Sequence, residues 1–221
     1  MEWNFPMALS DFQHVFAEGN PGSPVFLLLH GTGGSEHDLM DLGPAIAPSF
    51  GRLGVRGQVD ENGNARFFRR LAEGVFDELD LVMRTQQLAH WIEEARAELV
   101  GDRPLVALGY SNGANMAASL MLHGVGGLAG AVLLRPMVPL RSPVTNPIES
   151  ASVLILSGRD DWMCPPSEGE CLAEMLRRQG AEVETKMILA GHNLTNLDVT
   201  AAQKFVAIHW PPLAPTQNFA L

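Results

Sequence analysis

Short apolar runs without alternation constrain this chain more than any other feature. Val25 to Leu29 is apolar throughout, and Leu105 to Leu108, Ala131 to Leu134 and Val153 to Leu156 repeat the pattern. Successive strand side chains point to opposite faces, so a strand with one wet face alternates apolar and polar residues. A run that does not alternate buries both faces, as strands do inside a parallel sheet covered on both sides. Helices are predicted between the runs, over Glu36 to Ala47, Thr85 to Val100, Asn112 to His123 and Ser167 to Gln179, with a terminal one from Asn196 to Trp210. Strand and helix alternate, and each connection is long enough to cross over. The pattern predicts an α/β fold with a mostly parallel central sheet and helices on both faces. Phe12 to Phe16, ahead of the turn residues Gly19 to Gly22, is expected to pair antiparallel with Val25 to Leu29 at a sheet edge.

The chain has 221 residues, 46% of them hydrophobic, which suffices for one large core and a single domain over residues 1–221. One segment breaks the rhythm. Gly57 to Met83 carries Glu61-Asn62-Gly63-Asn64, then Phe67-Phe68-Arg69-Arg70, then the acidic stretch Glu73 to Asp80, read as a solvated face. It is too long for a plain connection and is expected to form a cap or lid beside a site. Pro211 to Leu221 reads as a C-terminal extension with little regular structure. Fifteen basic against 25 acidic residues give a net charge of −10, which repels polyphosphate and argues against a nucleic-acid partner. Cys164 and Cys171 fit neither a zinc ribbon nor a disulfide scaffold, and read as free thiols of a reducing compartment. Met1 to Phe12 lacks a basic segment followed by an apolar one, and no apolar run approaches the ~18 residues that span a bilayer. A cytoplasmic protein with no membrane insertion is expected.

Gly109-Tyr110-Ser111-Asn112-Gly113 is a Gly-x-Ser-x-Gly pentapeptide placed between the run Leu105 to Leu108 and the apolar helical segment Ala114 to Leu122. Strand, sharp turn and helix are the setting of a nucleophile elbow. There the serine is forced into a strained backbone conformation, and side chains at the glycine positions would collide with neighbouring elements. A serine hydroxyl needs a base to take its proton as it attacks. Of seven histidines, His192 follows Gly191 just after the apolar stretch Met187 to Leu189, where a loop leaving the last strand swings it over the sheet's carboxyl edge. His37 is a distant second, and His30 reads as structural. The base in turn needs a carboxylate to hold its tautomer. Asp160 and Asp161 both follow the strand Val153 to Leu156 and the turn Ser157-Gly158-Arg159, and the residues alone leave them tied. Either one completes the chain order serine, acid, histidine of α/β-hydrolases. His30-Gly31-Thr32-Gly33-Gly34 ends the strand Val25 to Leu29, so the backbone N–H groups of Thr32 and Asn112 are the candidate oxyanion hole.

These residues resemble the phospholipase/carboxylesterase family of α/β-hydrolases, which includes bacterial carboxylesterases and acyl-protein thioesterases. The likeness runs from about Val25 to Phe205. It rests on Leu28-Leu29-His30-Gly31-Thr32-Gly33-Gly34, Phe67-Phe68-Arg69-Arg70, Gly109-Tyr110-Ser111-Asn112-Gly113, Gly158-Arg159-Asp160-Asp161 and Gly191-His192. The family's Gly-x-x-Asp spacing selects Asp161 over Asp160, and Trp162 stands where members usually have proline. The resemblance implies the α/β-hydrolase fold in a single domain and a serine carboxylesterase that works through an acyl-enzyme with Ser111, Asp161 and His192. Thioesterase or lysophospholipase activity with the same residues is the alternative, and a non-catalytic ligand-binding protein is the alternative of another class. A cysteine-nucleophile lactone hydrolase fails because position 111 is serine. Phe67, Phe68, Met83 and Trp162 are candidates for the acyl pocket. A small-molecule ester is the expected partner, a homodimer is compatible with the reading, and neither cofactor nor metal is expected.

Overall fold

The structure, a computed structural model, describes residues 7–141, 146–148 and 150–212. Along the chain run β1 (His14–Ala17), β2 (Val25–Leu29), α1 (Leu42–Ile46), β3 (Gly51–Val55), the hairpin β4 (Val59–Glu61) and β5 (Asn64–Arg66), and a second hairpin β6 (Arg70–Ala72) and β7 (Val75–Phe76). Then follow α2 (Glu78–Ala95), β8 (Leu105–Tyr110), α3 (Asn112–Leu122), β9 (Gly130–Leu134), β10 (Ser152–Gly158), α4 (Pro166–Arg178), β11 (Glu182–Ile188) and α5 (Asn196–His209). One seven-stranded sheet has the order β1-β3-β2-β8-β9-β10-β11. Its pairs are parallel except β1 with β3.

The non-alternating runs form β2, β8, β9 and β10, and each feeds two cores by parity. Val25, Leu27 and Leu29 of β2 join a layer with Leu88 and Trp91 of α2, Leu120 of α3 and Leu172 of α4. Phe26 and Leu28 join the opposite layer with Ile46 of α1 and Phe205 of α5. Each such side chain stabilises by about 1.5–3 kcal/mol on full burial, so a polar residue at either parity would break one layer. This is the expected α/β architecture. Among the described residues no helix is long and apolar enough to cross a membrane.

Three expectations are corrected. β1 pairs with β3, with His14 opposite Val55, and not with β2, whose neighbours are β3 and β8. β3 escapes sequence reading because Gly51, Arg52 and Gly54 interrupt its apolar pattern. The helix expected over Glu36 to Ala47 shrinks to α1, since Ser35 donates to Asp38 at 2.7 Å and stabilises a turn instead. Finally, α2 begins at Glu78 rather than Thr85, because Asp77 caps it by accepting the Asp80 N–H at 3.1 Å. Part of the acidic stretch is therefore a helix start, where negative charge favours the exposed N–H groups. Asp80 itself is buried and accepts the Arg69 N–H at 2.8 Å.

The Gly57 to Met83 segment comprises the two hairpins and the first turns of α2. The first hairpin turns at Asn62 and Gly63, both at positive φ (54° and 85°), as a tight two-residue hairpin turn requires. Pro211 and Pro212 are exposed, and the rest of the C-terminal extension lies outside the described residues.

Candidate active site

Ser111 sits between β8 and α3 at φ 52° and ψ −113°, a conformation that non-glycine residues rarely hold. Its neighbours explain how it is kept there. A Cβ on Gly113 would overlap the Leu29 carbonyl, and one on Gly109 would stand 2.7 Å from Ala114 Cα. The Ser111 N–H donates to the Leu134 carbonyl at 2.9 Å, which pins the turn to β9.

The structure brings Ser111, His192 and Asp161 together. His192 Nε2 lies 3.1 Å from Ser111 Oγ, and its Nδ1 lies 2.8 Å from Asp161 Oδ2. The other oxygen, Asp161 Oδ1, accepts the Met163 and Cys164 N–H groups, each at 2.9 Å. Asp160 instead points outward and pairs with Arg159 at 3.1 Å, so the geometry separates two carboxylates that the residues alone left tied. His37 is exposed and pairs with Glu36 at 3.3 Å.

Two residues that sequence reading missed hold the His192 loop. Arg135, fully buried at the end of β9, donates Nε to Gly191 O at 2.9 Å and Nη2 to Asn193 O at 3.2 Å. Its remaining donors go to Leu156 O and both oxygens of Asp198, so all five N–H groups are used. Tyr110 Oη donates to the carbonyl of His192 itself at 3.1 Å, and burial pushes the phenol pKa up, which keeps that donor protonated. The carbonyls of residues 191, 192 and 193 are thus each anchored. The one available signal for Arg135 was a charge directly after a fully buried strand.

Thr32 and Asn112 border the same small cavity as Ser111. Among the described residues neither backbone N–H donates to a protein acceptor. The hairpin segment grips both residues. Arg66 Nη1 donates to Thr32 Oγ1 at 2.7 Å, and the Phe67 N–H donates to Asn112 Oδ1 at 2.8 Å. Two more bonds fix the loop beneath, from Gly33 N–H to Ala65 O at 2.9 Å and from Gly57 N–H to His30 Nε2 at 3.0 Å. His30 is buried, and that burial pushes its pKa below the ordinary histidine value, consistent with a neutral ring accepting at Nε2.

The cavity beside Ser111 is small, about 50 Å³, and Arg66, Arg70, Phe76, Met137 and Cys164 contribute to its wall. None of the four acyl-pocket candidates lines it. Phe67 and Phe68 are buried in the core, Phe67 against the His30 ring and Phe68 edge-on to Phe76. Met83 is 37% exposed on α2, and Trp162 is 77% exposed next to Asp161. A larger groove of about 830 Å³ shares Gly74, Phe76 and Met137 with the cavity but contains none of Ser111, Asp161 and His192. Both cysteines are free. Burial, then the charges of Asp161 and Glu168, push the Cys164 thiol up to about 12, which disfavours a free, nucleophilic thiolate there.

Comparison with known proteins places the chain in a family. Residues 71–210 match the family described as Phospholipase/Carboxylesterase. The chain is 45% identical over 194 residues to MhqD of Bacillus subtilis, named as a hydrolase, with 87% of this chain and 96% of that one covered. Among solved structures it is similar to the Bacillus cereus carboxylesterase, with 45% identity, a TM-score of 0.86, and 90% and 94% of the two chains covered. A carboxylesterase from Mesorhizobium loti is 30% identical with a TM-score of 0.83, over 89% of this chain and 94% of that one. The elbow, the sheet order and these likenesses converge on one conclusion: the chain belongs to the phospholipase/carboxylesterase family of α/β-hydrolases.

Proposed function

We propose that this hydrolase is a serine carboxylesterase that cleaves small esters through an acyl-enzyme. The observation that carries the reading is the unbroken relay from Ser111 Oγ to His192 Nε2 (3.1 Å) and from Nδ1 to Asp161 Oδ2 (2.8 Å). In the first half-reaction Ser111 Oγ attacks the ester carbonyl as His192 Nε2 takes its proton, and the imidazolium then protonates the departing alkoxide. Asp161 holds Nδ1–H and stabilises the transient positive ring. The carbonyl oxygen becomes an oxyanion, and the Thr32 and Asn112 N–H groups, from residues that border the cavity with Ser111, are the donors assigned to it. Water, deprotonated by the same imidazole, then attacks the acyl-enzyme, and the imidazolium returns that proton to the departing Ser111 Oγ as the acid is released. The cavity of about 50 Å³ supports a short acyl group. The two free thiols support a reducing, cytoplasmic setting.

The test is hydrolysis of short p-nitrophenyl esters by wild type and Ser111→Ala, together with fluorophosphonate labelling of the folded chain. Turnover that vanishes in the variant and labelling at Ser111 are the expected results. Undiminished turnover by Ser111→Ala would sink the assignment. No turnover and no labelling of folded wild type would favour a ligand-binding protein on the same fold.

A further inference from the structure

We propose that the Asp161 carboxylate, the Cys164 thiol and the His192 imidazole together bind a thiophilic divalent cation of the zinc and cadmium type, and that its binding switches off ester hydrolysis. One ligand atom from each of the three lies within 4.8 Å of the others. They supply the sulfur, nitrogen and oxygen donors that zinc takes, at roughly 2.0–2.3 Å in tetrahedral sites. Around such an ion the ligand atoms stand about 3.2–3.7 Å apart, the geometric consequence of those bond lengths. Asp161 Oδ2 and His192 Nδ1 stand 2.8 Å apart across a hydrogen bond, so the cation replaces the bridging proton and spreads that pair by about 0.5 Å while the Cys164 side chain closes on it.

The surroundings suit a cation. Asp161 Oδ1 is held by the N–H groups of Met163 and Cys164, which fixes the carboxylate beside the thiol. Glu168 adds negative charge near Cys164, while the opposing charge of Arg135 is committed to Asp198 at 2.7 Å. Cys164 is 6% exposed yet borders the cavity at Ser111, so the path a substrate takes also leads to the sulfur.

The step balances in protons. The cation takes the thiolate, and the thiol proton leaves to solvent, as coordinated thiols lose theirs. It also takes Nδ1 of His192, the ring nitrogen that faces Asp161, and displaces that proton to Nε2. No free Nε2 lone pair then remains to accept the serine proton. The loss of activity rests on the Ser111 and His192 reading above, whereas binding does not.

The experiment titrates the full chain with Cd²⁺ in a weakly coordinating buffer and follows the ultraviolet thiolate-to-cadmium absorption alongside ester turnover. Expected are one absorbing site per chain, turnover lost in step with it, and recovery with EDTA. In Cys164→Ala the band is absent, and at least about tenfold more Cd²⁺ is needed to halve that variant's own rate, a lower bound taken from losses of less direct ligands. Cys171→Ala, which removes the exposed thiol, keeps the wild-type response. If Cys164→Ala does not fold, Cys164→Ser replaces it, since a hydroxyl gives no such band. A band that survives in the Cys164 variant but disappears in Cys171→Ala overturns the site. Full turnover at a saturated band overturns the switch. If Ser111→Ala kept turning over esters, the triad reading would fail while the band still reported on the site.

Discussion

Arg135 meets Asp198 in a two-pronged ion pair, Nη1 to Oδ1 at 2.7 Å and Nη2 to Oδ2 at 3.1 Å, with both side chains sealed from solvent. Burial of two charges costs several kcal/mol each, so a pair like this persists only where its geometry and further hydrogen bonds compensate. Here they do. Asp198 also accepts the Thr195 N–H at 2.8 Å and the Thr195 hydroxyl at 2.9 Å, and Arg135 spends its other donors on the loop that carries His192. The pair joins the end of β9 to the first turn of α5, and the histidine loop hangs between them.

Arg135→Met is therefore expected to lower stability by about 3–5 kcal/mol, because Asp198 is left charged and buried. Ester turnover should fall in kcat more than in KM, since the variant loosens the loop that carries His192, the proposed base, rather than the cavity wall. Urea denaturation and steady-state kinetics on the same preparation check both parts. An unchanged denaturation midpoint would contradict the account of the pair.

The Arg66 to Thr32 bond leads to a second prediction. Thr32→Val removes the acceptor of a 2.7 Å charge-assisted bond while keeping side-chain size, and Arg66→Met removes the donor. Loss of an oxyanion-hole donor outright costs about 10²–10³ in kcat, so displacing the proposed Thr32 donor should cost on the order of tenfold. Each variant is expected to show that loss with little change in KM, and the double variant to be no worse than Arg66→Met. Additive losses in this cycle would show that the two residues act separately.

How much of this was legible beforehand depended on whether a signal is local. Non-alternation in Val25 to Leu29 reports burial of both faces from five adjacent residues, and the elbow glycines report sterics within one pentapeptide. β3 was hidden because Gly51, Arg52 and Gly54 mask a strand that topology nonetheless buries between β1 and β2. Arg135 bonds to a residue 56 positions away and Tyr110 to one 82 away, and no local pattern encodes such partners. The core placement of Phe67 and Phe68 was hidden for a related reason. An apolar residue such as Phe68 reads the same whether it lines a cavity or the core, and here it is fully buried. Arg66 was passed over although the four residues after it were singled out.

Acid should weaken the fold through His30. Its folded-state pKa lies below the ordinary 6.5 because the ring is buried, so the unfolded chain takes up a proton that the folded chain refuses. The contribution of neutral His30 is fully present above that value. It is lost as pH falls from there towards the folded-state pKa, at no more than about 1.4 kcal/mol per pH unit. Protonation would also end acceptance of the Gly57 N–H at Nε2. Denaturation midpoints measured across mildly acidic pH should slope downward in wild type, and the slope should flatten in His30→Gln. Parallel slopes in the two proteins would assign the acid sensitivity elsewhere.

The backbone at Ser111 allows strain to be measured apart from chemistry. Ser111→Ala and Ser111→Gly both lack the hydroxyl and are both expected to be inactive, so they differ only in what the chain must tolerate at φ 52° and ψ −113°. Holding a non-glycine residue in such a region costs of order 1–3 kcal/mol. Glycine ordinarily destabilises regular structure by roughly 0.5–1 kcal/mol through its freedom when unfolded. The two effects oppose each other, and the first is larger. Ser111→Gly should therefore be more stable than Ser111→Ala by about 1 kcal/mol, read from denaturant titrations at one pH. Equal stability, or an alanine variant that outlasts the glycine one, would mean that the turn holds residue 111 without strain.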